Sequence, residues 1–165
     1  EETLSPAQLD FLLPERFQLE YVGEDGNKHR PVVIHRGIIS TMERMTAFLL
    51  ENFAGALPLW LSPVQAKVIP VSNQFDGYAK EVAERMKNAG IRVETDLRNE
   101  KLGYKIREAQ LEKIPYMLVV GENEKNAGTV SVRIRGLGDI GAHDVGATIA
   151  RIRKEIDHKV TEITE

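Results

Sequence analysis

Cysteine is absent from the 165-residue chain, which excludes disulfide stapling, thiol catalysis and any zinc site built from cysteines of this chain alone. That absence is compatible with a reducing, cytoplasmic setting. No apolar run approaches the ~20 residues of a membrane span, so no membrane partner is expected. An excess of positive charge is missing too. The chain sets 22 Lys and Arg against 25 Asp and Glu, a net charge of −3, so any nucleic-acid binding must rest on a local patch. The first residues, Glu1-Glu2-Thr3-Leu4, carry neither a basic leader nor an initiator Met, and the chain is expected to be cut from a longer one.

What is present is the composition of a globular protein. With 42% hydrophobic and 28% charged residues, disorder, collagen and coiled coil are poor descriptions. The length allows one ordinary domain plus a fragment, or two very small domains.

Phe17, Leu19 and Tyr21 alternate with polar neighbours, residues 23–27 are rich in Gly and Asp, and Pro31-Val32-Val33-Ile34 is apolar and β-branched. The pattern predicts a β-hairpin. Ser40 or Thr41 can cap a following helix in which Met42, Met45, Leu49 and Phe53 form a stripe, with Gly55 and Pro58 ending it. After a connection with two prolines and the only Trp, strands at 66–71, 91–95 and 116–120 alternate with helices at 76–89 and 103–113. Such alternation implies parallel strands with crossover helices. A strand at 129–135 and an amphipathic helix at 145–160 complete the pattern. The domain boundary is expected near Ser62, giving a fragment over residues 1–62 and an α/β domain over 63–165. The fragment cannot enclose a core of its own and resembles the tail of a larger antiparallel domain.

Several residues invite functional assignments. Gly136-Leu137-Gly138-Asp139-Ile140-Gly141 matches G-x-G-x-x-G, but the dinucleotide site needs another strand and an acidic residue roughly 20 positions on. The glycines are therefore expected to form a flexible strand-to-helix connection. His29 and His35 flank an apolar run, where an isolated His is most often structural, and one His cannot complete a zinc site. Arg44, early in a helix, is either solvated or a planar fork for a phosphate or carboxylate. The segment 96–108 carries Arg98, Lys101, Lys105 and Arg107 among Asp96, Glu100 and Glu108. It is either a solvated face of mixed charge or, at the carboxyl ends of parallel strands, a place where Asn99 reads a base edge while cations hold phosphates.

Longer strings carry a resemblance. Residues 31–44, Pro-Val-Val-Ile-His-Arg-Gly-Ile-Ile-Ser-Thr-Met-Glu-Arg, resemble the third signature motif of class II aminoacyl-tRNA synthetases in its threonyl form. Residues 96–108, Asp-Leu-Arg-Asn-Glu-Lys-Leu-Gly-Tyr-Lys-Ile-Arg-Glu, and 114–121, Ile-Pro-Tyr-Met-Leu-Val-Val-Gly, resemble the anticodon-binding domain of the same family. Gln8-Leu9-Asp10-Phe11 and residues 21–26 fit as well, so the likeness runs from about residue 8 to about residue 160.

The resemblance implies a mixed, mostly parallel five-stranded sheet flanked by three helices, preceded by a hairpin and helix left from an antiparallel catalytic domain. It implies tRNA(Thr) as the partner, through its anticodon stem-loop, and no DNA. Full-length relatives, homodimers of the cytoplasm, activate threonine with ATP and Mg2+ and use zinc. By position, His35 corresponds to one of three zinc ligands, the other two lying outside this chain, Arg44 to the Arg gripping the ATP phosphates and Thr41 to an active-site hydroxyl. Asn99, Glu124 and Arg133 correspond to positions touching anticodon bases. Arg98, Lys101 and Arg107 are expected phosphate contacts by charge. The chain alone is expected to hold no tight zinc or ATP and to lack catalysis. The alternatives are a stand-alone α/β protein–protein module and a nucleotide-binding enzyme using residues 136–141.

Overall fold

The computed structural model describes residues 5–161. The chain divides into two compact units between Asn52 and Phe53.

In the first unit, strand β1 (Ala7–Asp10) pairs antiparallel with β4 (Val33–Arg36), Asp10 opposite Val33. A helical turn, α1 (Leu12–Arg16), follows β1, and the Asp10 carboxylate accepts from the N–H groups of Leu12 and Leu13, both at 2.9 Å. A hairpin with a five-residue loop pairs the two-residue strands β2 (Tyr21–Val22) and β3 (Lys28–His29). Its turn is closed by Gly23 N–H donating to Asn27 O and by Asp25 accepting from Asn27 N–H. The hairpin is thus shorter than the sequence predicts, and the apolar run pairs with β1 instead. Pro31, which has no N–H to donate to a ladder, lies in the connection between β3 and β4. Helix α2 (Met42–Asn52) starts at Thr41, whose hydroxyl accepts from Arg44 N–H at 3.4 Å. Among the described residues of this unit only Pro14 is buried. Leu9, Phe11, Ile34 and Ile38 stand in solvent.

The second unit has a real core. Its sheet runs in the order β6 (Val93–Thr95), β5 (Ala66–Pro70), β7 (Tyr116–Val120), β8 (Thr129–Ile134), β9 (Gly138–Asp144). The first three are parallel, while β8 and β9 run antiparallel to their neighbours. Five strands in a mixed sheet agree with the expectation, with the parallel share confined to three. Alternation decides the two faces. Val68, Leu118, Val120, Val130 and Val132 point to one side, against Val82 and Met86 of α3 (Asp76–Asn88) and Ile152 of α6 (Val145–Asp157). Ile69 and Met117 point to the other, against Ala109 of α4 (Leu102–Leu111).

Three features depart from the sequence pattern. Residues 53–62 belong with the second unit rather than with the fragment before it: Leu59 is fully buried in its core, Arg92 donates to Ser62 O and Trp60 O, and Arg135 donates to Ala56 O and Leu57 O. A fourth helix, α5 (Glu122–Ala127), links β7 to β8, capped by Gly121 N–H on Glu124 and ended by Gly128 in the left-handed region. The glycine run at 136–141 is a hairpin turn and edge strand, not a flexible link into a helix. Gly136 and Gly138, both at positive φ, reverse the chain, and a bulge sets Val132 opposite Gly141 and Arg133 opposite Asp139. No helix among the described residues is long and apolar enough to cross a membrane.

Candidate nucleic-acid interface

The carboxyl ends of β5, β6 and β7 leave the sheet along one edge, where open α/β sheets place their ligands. From β6 the chain passes through residues 96–101 into α4. Asn99 sits exposed in this connection. Its base is rigidly tied: Asp96, only 6% exposed, accepts from Arg98 Nε at 2.8 Å and from Arg98 Nη2 at 2.7 Å. Arg98 Nη1 also donates to Glu108 at 3.1 Å, and the guanidinium lies 5.9 Å from the centre of the Tyr104 ring. Bidentate geometry of this kind is the strong form of an ion pair. The Arg98 hydrogen bonds hold the Asp96 carboxyl below its ordinary value, outweighing the opposing effect of burial, and Arg98 likewise holds Glu108 down. Arg98, expected to face a phosphate, is therefore engaged by two carboxylates.

A pH dependence follows. A carboxyl whose folded pKa is lowered stabilises the fold above its unfolded value, and that contribution is lost as pH falls through the folded value. The Asp96→Asn variant is expected to be less stable than the parent near neutrality, with the gap full above about pH 3.8 and closing below it. Urea midpoints measured from pH 7 down to pH 3 check this. A gap constant across that range would contradict it.

Lys101 and Arg107 are exposed, and neither forms an ion pair among the described residues. Lys105, grouped with them by sequence, is different: it is buried. Glu124 is half-buried on α5 and accepts from Gly121 N–H at 2.9 Å. Arg133 lies on the α4 side of β8, opposite Met117. It donates to Asp139 at 2.8 Å, while its Nε is buried with no hydrogen-bond partner among the described residues. It lines a cavity of 230 Å³ with Gln110, Met117 and Gly138.

The three residues expected to read bases are therefore not gathered in one pocket. Asn99 follows β6 and Glu124 follows β7 beyond the carboxyl ends of those strands, with β5 between the two strands. Arg133 lies four residues along β8 from Thr129.

In the first unit, His35 Nε2 lies 2.8 Å from Asp10 Oδ2, and Asp10 is lowered by its bond from Leu13 N–H and then by His35. His29 pairs similarly with Asp25. No group of three or more His, Cys, Asp or Glu among the described residues is placed to hold a metal, so His35 does not complete a zinc site with them. Arg44 and Thr41 are exposed near the start of α2. The Gly-rich run offers no free helix terminus for a phosphate, since the Asp144 side chain already accepts from Ala147 N–H at the start of α6.

Comparison with known proteins gives one family model, described as an anticodon-binding domain, over residues 65–155. A threonine–tRNA ligase of Listeria monocytogenes is 59% identical over 157 residues, covering 94% of this chain and 24% of its own length. Threonine–tRNA ligase 1 of Bacillus subtilis is 66% identical over 137 residues, covering 82% of this chain and 21% of its own. Among solved structures, the RNA-binding domain of threonyl-tRNA synthetase from Cryptosporidium parvum superposes with a TM-score of 0.78 at 39% identity, over 91% of this chain and 38% of that one. The chain thus spans about a quarter of the length of the curated relatives it matches.

Proposed function

We propose, from the premise that this chain belongs to the anticodon-binding domain family, that its second unit holds the anticodon loop of a threonine tRNA. The first unit is then the end of the catalytic domain of a threonine–tRNA ligase. The observation that carries this is the spread of Asn99, Glu124 and Arg133 over one edge and one strand, which suits unstacked bases of a single-stranded loop taken one by one. Each offers the chemistry for a base edge: an amide that both donates and accepts, a carboxylate that accepts, and a guanidinium with further N–H donors beyond the one paired with Asp139. Lys101 and Arg107, exposed and without ion-pair partners among the described residues, face the loop's phosphates, and Arg98 shapes the connection between them. The relatives favour RNA over a stand-alone protein-binding module.

Within a full-length, homodimeric enzyme of the cytoplasm, Arg44 would meet the phosphates of Mg2+-bound ATP and Thr41 would present a hydroxyl to the active site. His35 would be one of three zinc ligands. The residues described here do not assemble that site by themselves, so no step of the chemistry is assigned to them.

Stem-loop titration tests the reading. Threonine-accepting and unrelated anticodon stem-loops are titrated against the chain at two salt concentrations. Lys101→Ala or Arg107→Ala should weaken both about equally and reduce the salt slope by somewhat under one unit. Asn99→Ala or Arg133→Ala should instead shrink the cognate preference by ~1–3 kcal/mol, the scale of a good base contact. No cognate preference, or one untouched by both latter variants, would return the protein-module reading to the front.

A further inference from the structure

Lys105 is 2% exposed, rare for a lysine unless its ammonium is well partnered. Its Nζ donates to Asp96 O at 3.1 Å and to Pro70 O at 3.4 Å. Those carbonyls lie at the carboxyl ends of two neighbouring parallel strands, where β6 and β5 give way to their connections. The Asp96 whose carbonyl Lys105 holds is the residue whose carboxylate grips Arg98, and Arg98 in turn reaches Glu108, three positions beyond Lys105 on α4. Residues 96–101 are thereby held from both the main-chain and the side-chain sides of Asp96. The exposed Asn99 sits in that span, with Glu100 N–H closing a tight bond on Arg98 O at 2.9 Å.

We infer that Lys105 is a positioning residue: it pins the start of the 96–101 connection to α4 through the Asp96 carbonyl and so fixes where Asn99 is presented. Its link to recognition rests on the base-reading role proposed above for Asn99. The loop-ordering part does not. Burying an ammonium is costly, and Lys105→Met removes that cost while leaving the Asp96 and Pro70 carbonyls without its donor. The loss that identifies a positioning role is therefore the one in the order of this loop, read separately from any change in global stability.

Two measurements on the full 165-residue chain decide it. In amide hydrogen exchange without RNA, Lys105→Met should speed exchange at Arg98 and Glu100 by about tenfold or more while β7 amides stay protected, since local opening is separable from global unfolding. An unchanged loop overturns the proposal. Should Lys105→Met not fold, Lys105→Gln, a neutral side chain one atom shorter, takes its place, and a loop as protected as the parent's in that variant overturns the proposal equally. In stem-loop titration, Lys105→Met should reduce the cognate preference by about the same factor as Asn99→Ala, and the double variant should lose no more than either alone. Simple additivity would mean that Lys105 does not act through Asn99. If Asn99→Ala by itself leaves the preference intact, the base-reading role fails, while the exchange result still decides the positioning.

Discussion

Threonine-dependent ATP–pyrophosphate exchange by this chain alone is expected to be indistinguishable from background and from an Arg44→Ala control. Enzymatic acceleration of at least a millionfold comes from several groups fixed where charge develops, in a site from which water is excluded. The first unit offers one exposed guanidinium at the start of α2 and a Thr41 hydroxyl already accepting from Arg44 N–H. Its apolar side chains, Leu9, Phe11, Ile34 and Met42 among them, stand open to solvent, so nothing among the described residues of this unit closes over a nucleotide. Exchange above the Arg44→Ala control, dependent on threonine and not on serine or valine, would refute the expectation.

Replacing Leu118 by Ala is expected to destabilise the second unit by about 2–5 kcal/mol, the range for deleting buried methyls and leaving a cavity. Leu118 is 1% exposed, on the strand that hydrogen-bonds β5 on one side and β8 on the other, so the surroundings cannot collapse onto the space without shifting both. Leu9→Ala is the matched comparison. At 62% exposure on β1 the same truncation removes little buried surface, and an effect within about 0.5 kcal/mol is expected. Urea unfolding followed by circular dichroism and by Trp60 fluorescence separates the two. Equal losses at both positions would mean that the first unit has a core that its burial does not reveal.

The parallel strands and their crossover helices were legible because each has a period that only one kind of element satisfies. Residues 66–70 and 116–120 are nearly continuous apolar runs, as strands covered on both faces must be, and α3 and α6 carry apolar stripes at helical spacing. The edge strand β9 had no such signature. Gly-Asp-Ile-Gly-Ala-His-Asp lacks the β-branched alternation of a half-buried strand, and it is a strand because β8 offers it hydrogen bonds. Helix α5, six residues long, was too short for a period to emerge. The domain boundary shifted because Leu59 is buried by residues distant in sequence, a fact no local pattern carries.

The same division runs through the site. Which residue types stand at positions 35, 41, 44, 99, 124 and 133 is a property of the string, and motif spacing carries it. Which cations are free is not. Arg98, Lys101, Lys105 and Arg107 read alike in sequence, but α4 turns Lys105 inward onto two strand ends and brings Glu108 beneath Arg98, leaving Lys101 and Arg107 in solvent. Local sequence thus set the elements and the chemistry available. The tertiary structure alone decided which charges face outward, because pairing depends on distances between elements and a buried charge persists only where another element supplies its partners.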